Sequence, residues 1–427
     1  MMPHESRWRW IGLVILIAAT PLLLFPGDWR TLAVLALPLI WIGNRIMTGH
    51  FIQRTPFDVI ILCVLVMVLV SLYATYDIAI SLPKITGVLL GVSVFYGVAG
   101  IATTPRRFRV LILGVLVAVA VFVGLVLIGT DWGNKVPLLQ TIAAQLPALL
   151  RGLPGADRGF HPAEVGGALT WLVFSPATIW LGLQPMCATR RLVIGLMMIS
   201  LTGVMLFVMV LTQSRSAWIG TIVGVGIIIW LSGRRGRVVV GGLAIVAMAA
   251  FVLIGPQRIF EETPQPPSAE LGTVFTPTIA GRVELWSRAI YALQDFPFTG
   301  MGMGTFRYVM PLLYPLFTAS PETDIGHAHN EFLQAGVDLG MVGLIAFIAL
   351  YIMAIGLAHR VLRSGPPVLI RWLTIGVLAG LIAHGVYGLT DAVALGAKPG
   401  MFFWLLLGLI AVVWQQRMAQ VREERST

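Results

Sequence analysis

The sequence predicts an all-α integral membrane protein of about twelve transmembrane helices, with one large, partly helical loop between the ninth and the tenth. Three observations lead to this prediction. The 427 residues are 57% hydrophobic and 11% charged, whereas soluble domains carry about 25% charged residues. The mean hydropathy is +0.89. Apolar runs free of charge also recur along the chain, and a helix needs about 20 such residues to cross a bilayer.

The twelve runs lie at 10–27, 31–44, 59–76, 85–105, 110–130, 165–189, 192–214, 216–233, 238–257, 339–358, 372–390 and 399–416. The second is the weakest, because it spans only if Arg30 and Arg45 reach the two interfaces. The first follows Arg7 and Arg9 but lacks a clear cleavage site, so it is predicted to be a retained anchor. The eleventh contains His384.

The charges of the loops predict the orientation. With twelve crossings, loops on one side hold 18 bases and 4 acids, and loops on the other side hold 11 bases and 15 acids. Because the basic side of a membrane protein faces the cytoplasm, both termini are predicted to be cytoplasmic. The basic pI of about 10.2 then follows from topology and requires no nucleic acid. Cys63 and Cys187 lie in separate apolar runs, so no disulfide framework is expected.

This topology divides the chain into four parts. Residues 1–255 are predicted to form helices 1–9, with 131–164 as an apolar segment lying in the membrane interface. Residues 256–336 form the external loop, which starts with a proline-rich stretch. Residues 337–416 form helices 10–12, and 417–427 form a cytoplasmic tail.

Ionisable groups at the outward ends of crossings are functional candidates by default. The first group lies in the short turn at 212–218, where Arg215 is predicted to sit at the outer mouth of the bundle beside Ser214. Arg215 is a candidate anion ligand there. The alternative is that it only extends to the interface and caps a helix end.

The second group lies at 281–288, where a helical pattern begins. Its apolar stripe is predicted to be Val283, Trp286, Ile290 and Leu293. This stripe is expected to pack the helix onto the rest of the protein.

Two arginines of this helix, Arg282 and Arg288, are about 120° apart around its axis. Glu284 precedes Arg288 in the favoured order for an ion pair, which offers Arg288 a structural role. Arg282 would place a cation in the first helical turn, which the helix dipole disfavours unless an anion is near. Arg282 is therefore the stronger candidate for an anion ligand, and Arg288 is the second.

The third group is His327-Ala328-His329-Asn330, directly before the tenth crossing. On a helix the two histidines would face different ways, so a metal pair is not expected. A neutral imidazole is available as a proton acceptor near pH 7. The alternative is a satisfied polar cluster at the interface. Between the second and third groups, Pro297-Phe298-Thr299-Gly300-Met301-Gly302-Met303-Gly304 predicts a tight, glycine-rich loop whose backbone approaches a neighbour or a ligand.

Together these motifs resemble the O-antigen ligase and polymerase family, which are integral-membrane glycosyltransferases. The resemblance rests on Ser214-Arg215-Ser216, Gly281-Arg282, Leu285-Trp286, Pro297, Gly300-Met301-Gly302, His327-Ala328-His329-Asn330, Leu333-Gln334 and Gly340-Met341-Val342-Gly343. It covers residues 160–345 in motif terms. One departure is Phe160-His161-Pro162-Ala163, where relatives often have Pro-Asn after an aromatic residue.

The resemblance implies a GT-C-like membrane fold in the bacterial cytoplasmic membrane, with the active site facing the outside. It implies transfer from a glycan on a polyprenyl diphosphate donor to a hydroxyl of an acceptor glycan or lipid, without metal or cofactor. His329 would be the base. Arg215, Arg282 and Arg288 would bind the diphosphate, with Asn330, His327, Ser214 and Glu284 in support.

A twelve-helix transporter of a small anion or solute is the competing class. The commonest carriers of that size have a long cytoplasmic link between two six-helix halves, whereas the long loop here is predicted to be external. No acidic residue is expected deep in a crossing.

Overall fold

A computed structural model describes residues 3–25, 30–101, 104–132, 136–153, 156–183, 188–254, 279–317, 324–393 and 395–426. The proline-rich stretch of the loop, Cys187 and residues 133–135 lie outside these ranges. The helices are α1 Pro3–Leu24, α2 Ala36–Thr48, α3 Asp58–Ala74, α4 Ile78–Ile101, α5 Pro105–Gly129, α6 Pro137–Ala143, α7 Pro162–Leu172, α8 Ser175–Gly182, α9 Ala188–Leu211, α10 Arg215–Ser232, α11 Arg234–Ile254, α12 Ile279–Asp295, α13 Phe306–Leu313, α14 Glu331–Arg363, α15 Val368–Tyr387 and α16 Met401–Ser426.

The all-α membrane class is confirmed. In the described residues, nine helical segments are long and apolar enough to cross a membrane, and Trp10–Leu24 and Asp58–Ala74 are shorter apolar helices. Apart from two isolated bridges, the described part of the chain has no β-structure. The count of twelve crossings and their orientation stay predictions.

Two predicted spans differ in construction from the expectation. The second run begins as a 3₁₀ turn at Arg30–Leu35 and continues into α2, so the helical segment extends from Arg30 to Thr48. The sixth run is made of α7 and α8 in succession, separated by a short turn. In the described part of the predicted interfacial segment, α6 is helical and α7 begins at Pro162.

The core of the bundle is built on α15 and α16. Helix α10 packs along α15, which also contacts α7 and α8, while α4 packs against α16 and α3 packs against α14. Trp171, Tyr387 and Trp404 are almost completely buried in this core. At one end of the bundle, Ser216 bonds to Thr390 and Asn330 bonds to Leu389. We call this end, where α10 and α14 begin and α15 ends, the polar end.

Residues 279–317 and 324–330, together with the start of α14, form a second, smaller core. It contains Leu285, Ala289 and Ala292 of α12, together with residues of α13 and of the segment before α14. The predicted stripe on α12 is therefore wrong at Val283 and Ile290, which are 55% and 43% exposed, whereas Leu293 is buried as predicted. The small residues Ala289 and Ala292 form the buried face instead, since they let α12 approach closely.

A break in α14 holds this second core in place. Gly340 has φ 72° and interrupts the helix. The glycine-rich loop fills the break: the Met301 N–H donates to the Val337 carbonyl and the Met341 N–H donates to the Pro297 carbonyl, both at 2.7 Å. The prediction that this loop approaches a neighbour is confirmed, and the neighbour is α14.

Gly340→Ala should destabilise the protein, because Cβ would lie 2.8 Å from the Pro297 carbonyl oxygen at a positive φ. Strain of this kind costs about 1–3 kcal/mol. The thermal unfolding temperature should fall in detergent or nanodiscs. Gly356→Ala on the same helix is the matched control, because nothing lies within 4 Å of its added Cβ. Equal unfolding temperatures for the two variants would contradict this account of the break.

Candidate functional site

Four segments meet at the polar end. They are the start of α10, the start of α12, the turn that precedes α14, and the residues that follow α15. Hydrogen bonds join them: Ser216 and Thr390 are 2.8 Å apart, and the Asn330 amide donates to the Leu389 carbonyl at 3.0 Å. The indole N–H of Trp286 in α12 donates to the His329 carbonyl at 3.3 Å. Residues far apart in sequence thereby form one site.

The two histidines face one carboxylate. His329 Nδ1 lies 3.3 Å from Asp391 Oδ1, and His327 Nε2 lies 4.0 Å from the same oxygen. Their rings are 4.4 Å apart, edge to face. The expectation that these histidines face different ways is wrong, because they precede α14 rather than lie on it, and His329 has φ 47°. The positive φ turns both rings to the same side.

The hydrogen bonds indicate which ring nitrogens carry protons. His327 Nδ1 accepts the backbone N–H of His329 at 3.2 Å, so its proton lies on Nε2, which faces Asp391. For His329, donation from Nδ1 to Asp391 leaves the basic lone pair on Nε2. This arrangement matches that of a histidine base oriented by an aspartate.

The same three residues could in principle hold a metal ion, since their ligand atoms lie within 4.8 Å of one another. However, Nε2 of His327 carries its proton. Metal binding there would require that proton to move to Nδ1 and the bond from the His329 N–H to break. The arrangement of these three side chains is therefore better explained by two N–H groups that face one carboxylate than by three ligands of a metal ion.

Burial sets the charges of this cluster. Burial and, to a smaller extent, the nearby His329 together lower the pKa of His327 to about 3, so His327 is neutral at physiological pH. Burial alone would raise the pKa of Asp391, but the hydrogen bond from His329 and the proximity of His327 hold it below its usual value. Asp391 is therefore a carboxylate that orients His329.

The Arg282 guanidinium lies beside this cluster. Burial lowers its pKa, Asp391 opposes that shift, and Arg215 contributes to it, so the two arginines and the aspartate are electrostatic neighbours. Arginine nevertheless stays charged in proteins. Among the described residues, no acceptor meets the buried Nε–H of Arg282. A buried donor without an acceptor costs about 1–3 kcal/mol, which an anionic ligand would remove.

Arg215 is the first residue of α10, with its side chain exposed. Ser214 caps that helix by accepting the Ala217 N–H. The start of α10 therefore presents the positive charge of Arg215, and the Ser214 cap fixes the helix end to which Arg215 belongs.

The other predicted residues have structural contacts. Glu284 and Arg288 form the predicted ion pair at 3.7 Å, and the Arg288 guanidinium also lies 5.2 Å from the centre of the Phe317 ring. Glu284 accepts the Phe317 N–H at 2.7 Å. Asn330 caps α14 by accepting the Leu333 N–H. Glu284 therefore partners the Arg288 guanidinium, although the buried Nε–H of Arg288, like that of Arg282, meets no acceptor among the described residues.

The expectation of no deep acidic residue is wrong. Asp338 lies within the candidate span Glu331–Arg363 and is 1% exposed. Its carboxylate faces Lys84 at 3.6 Å and accepts bonds from Gln334 and the Gly304 N–H. Gln334 in turn accepts the Ala328 N–H. These contacts give Asp338 a structural role. It holds the glycine-rich loop directly and the histidine turn through Gln334.

Asp391 is the site residue that sequence reasoning missed. It follows α15 and lies more than sixty residues beyond the histidines, so no local spacing connects them. The available signal was an acidic residue at the predicted outward end of the eleventh crossing.

His327→Gln should reduce the acid sensitivity of the fold. Between about pH 6.5 and the folded pKa of about 3, an unfolded histidine binds a proton that buried His327 does not. Stability therefore falls as pH falls, by up to about 1.4 kcal/mol per pH unit. Unfolding temperatures between pH 7 and 4 should fall less for His327→Gln than for wild type. His359→Gln, an exposed position near the other end of α14, should keep the wild-type slope; identical slopes for all three proteins would refute the burial argument.

Comparisons with known proteins match part of this chain. The family model described as O-antigen ligase matches residues 200–348, which include Arg215, Arg282 and His329. An O-antigen ligase of Pseudomonas aeruginosa is 25% identical over 284 residues, 65% of this chain and 60% of that protein. An uncharacterized protein of Haemophilus influenzae is 25% identical over 154 residues, 34% of this chain and 39% of that protein.

The matched segments thus span less than two thirds of either relative. The family match includes the start of α10, the start of α12 and the histidine turn, which are the segments on which the resemblance in sequence rests. The chain is therefore an integral membrane protein in which residues 200–348 match the O-antigen ligase model.

Proposed function

We propose that this protein is a membrane glycosyltransferase. It transfers a glycan from a polyprenyl diphosphate to a hydroxyl of an acceptor glycan or lipid, at the outer face of the bacterial cytoplasmic membrane. The observation that carries the proposal is the meeting of His329, oriented by Asp391 at 3.3 Å, with Arg282, whose buried Nε–H meets no acceptor in the described residues. The polar end would face the outside, and both termini the cytoplasm.

The chemistry needs a base and an anion site. The acceptor oxygen attacks the anomeric carbon, and the bond from that carbon to the diphosphate breaks with inversion. His329 Nε2 accepts the proton of the hydroxyl, and Asp391 stabilises the imidazolium that forms. The polyprenyl diphosphate leaves with the electron pair of the broken bond. Its developing charge is stabilised by guanidinium groups.

Arg215 and Arg282 are the proposed diphosphate ligands. A guanidinium presents paired N–H donors that match phosphate oxygens, and the donor diphosphate would relieve the proximity of these two cations. Arg288 would support the site indirectly, because its guanidinium is engaged by Glu284. In this scheme the arginines stabilise the leaving group without a metal ion.

The scheme also assigns roles to the supporting residues. His327 stays neutral and would hold the His329 backbone, while Asn330 and Ser214 would fix the two helix ends that carry His329 and Arg215. The family match favours this function over transport, and the buried Asp338 has local partners that leave it a structural role.

His329→Ala should lower the rate of glycan transfer by about 10²- to 10⁴-fold, the usual contribution of a general base. Purified protein in nanodiscs would be assayed with a defined polyprenyl-diphosphate oligosaccharide and an acceptor glycolipid. Donor binding should stay near normal, because His329 acts on the acceptor. Asp391→Asn should also lower kcat, because it weakens the orientation of the imidazole.

His359→Ala is the control for this assay, as an exposed histidine near the opposite end of α14. The base assignment fails if His329→Ala retains wild-type turnover with an unchanged pH profile. The proposed function itself fails if the wild-type protein transfers no glycan under conditions in which it binds the donor.

Arg282→Lys should weaken donor binding and transfer by about ten- to a hundred-fold, the value of a charge-assisted hydrogen bond, because an ammonium cannot reproduce a planar fork. The measurement is the donor Kd together with kcat/KM. Arg307→Lys is the matched control: this arginine is exposed and pairs with Asp324 at 2.8 Å. Full donor binding and transfer by folded Arg282→Ala would remove Arg282 from the anion site.

A further inference from the structure

A second histidine and carboxylate are buried below the site. His384 of α15 and Glu331 of α14 have side chains 0% and 4% exposed, and His384 Nε2 lies 2.7 Å from Glu331 Oε2. On the other side of the ring, His384 Nδ1 lies 3.0 Å from the Gly167 carbonyl of α7. The Trp171 indole stacks on the imidazole at 3.6 Å. The ring therefore joins α7, α14 and α15.

The acceptors around His384 define its proton state. The Gly167 carbonyl can only accept, and the Thr170 hydroxyl, which also lies 3.0 Å from Nδ1, donates to that same carbonyl at 2.6 Å. Nδ1 is therefore the donor of this group. Nε2, on the opposite side of the ring, faces the Glu331 carboxyl group.

This pair lies at the base of the contact that forms the site. Beside it, the Glu331 N–H donates to the Gly388 carbonyl at 2.7 Å, and the Asn330 side chain donates to the Leu389 carbonyl. Residues 331, 330 and 329 thus each contact the segment that follows α15, and the contact of His329 is with Asp391. A Cβ at Gly388 would lie 2.7 Å from Glu331 Oε2, so the fit between the two segments depends on glycine there.

His329 needs this support because its φ of 47° is uncommon for a residue other than glycine. Such a conformation persists only where neighbouring contacts determine it. Glu331 holds the chain two residues after His329, and the Trp286 bond holds the His329 carbonyl itself. Without the Glu331 anchor, His329 could relax toward a commoner backbone conformation and turn its ring away from Asp391.

We infer that His384 and Glu331, whose side chains are in contact at 2.7 Å, form a positioning pair that holds His329 against Asp391. This inference rests on the proposed function, in which His329 is the base. The pair does not touch the substrate, and its contribution is the geometry of the dyad above it. A displacement of about 1 Å at a reacting group can cost about a hundred-fold in rate.

Two substitutions at one position separate hydrogen-bond geometry from charge. Glu331→Gln keeps the length of the side chain and can donate an amide N–H to His384 Nε2. Glu331→Asp keeps the charge but is one methylene too short to maintain the 2.7 Å contact. Glu331→Gln should retain most of the wild-type kcat, whereas Glu331→Asp should lose about ten- to a hundred-fold. The donor KM should change less than about twofold for both, since the arginines are untouched.

Thr374→Val is the matched control for a buried polar change on α15. The Thr374 hydroxyl donates to the Ile370 carbonyl of its own helix, and this variant should keep wild-type kcat and KM. His384→Ala should behave as Glu331→Asp does, if it folds. If His384→Ala does not fold, the comparison of Glu331→Gln with Glu331→Asp supplies the test.

His329→Ala is assayed in parallel, so that two kinds of failure are distinguishable. If His329→Ala is inactive and Glu331→Asp matches the wild type, or is more active than Glu331→Gln, the positioning inference is wrong and the proposed function stands. If His329→Ala keeps full transfer, His329 is not the base. The base assignment and the positioning inference that rests on it are then both wrong.

Discussion

The structure depends on the pairing of backbone groups where α14 is broken. A helix interrupted inside an apolar bundle exposes carbonyl and N–H groups that the hydrocarbon cannot satisfy. Here Met301 and Pro297 of the glycine-rich loop pair with Val337 and Met341 on either side of Gly340. This contact attaches the segment containing α12 and α13 to the bundle. In that segment, Arg282 interacts electrostatically with Arg215 of α10, and the Trp286 indole donates to the His329 carbonyl.

The site above this contact combines a partly buried cation with a histidine whose ring faces a carboxylate. Arg282 is half-buried beside a second arginine, an arrangement that an anion would stabilise. His329 adopts a positive φ and faces a carboxylate, and the neighbouring His327 is kept neutral by burial. A neutral His327 can accept the His329 N–H, which a charged imidazolium could not do. Charge and backbone geometry thus support the same assignment of the base to His329.

Composition and hydrophobic runs were sufficient to predict the fold class, and short motifs identified Arg215, Arg282 and His329. Ion-pair spacing also identified the contact of Glu284 with Arg288. Asp391 was missed because its contact with His329 joins distant parts of the chain. The α12 stripe was misassigned because Ala289 and Ala292 carry little hydrophobic signal, although close packing selects them. The direction of His327 was misjudged because a positive φ at a histidine leaves no pattern in the sequence.

The central claim is that a lipid diphosphate binds between Arg215 and Arg282, with its sugar beside His329. The most direct measurement is a cryo-EM structure of His329→Ala in nanodiscs with a bound polyprenyl-diphosphate oligosaccharide. The account predicts diphosphate oxygens within about 3.2 Å of guanidinium nitrogens of Arg215 and Arg282, and the anomeric carbon facing position 329. A diphosphate bound elsewhere on the protein, with both arginines unliganded, would contradict it.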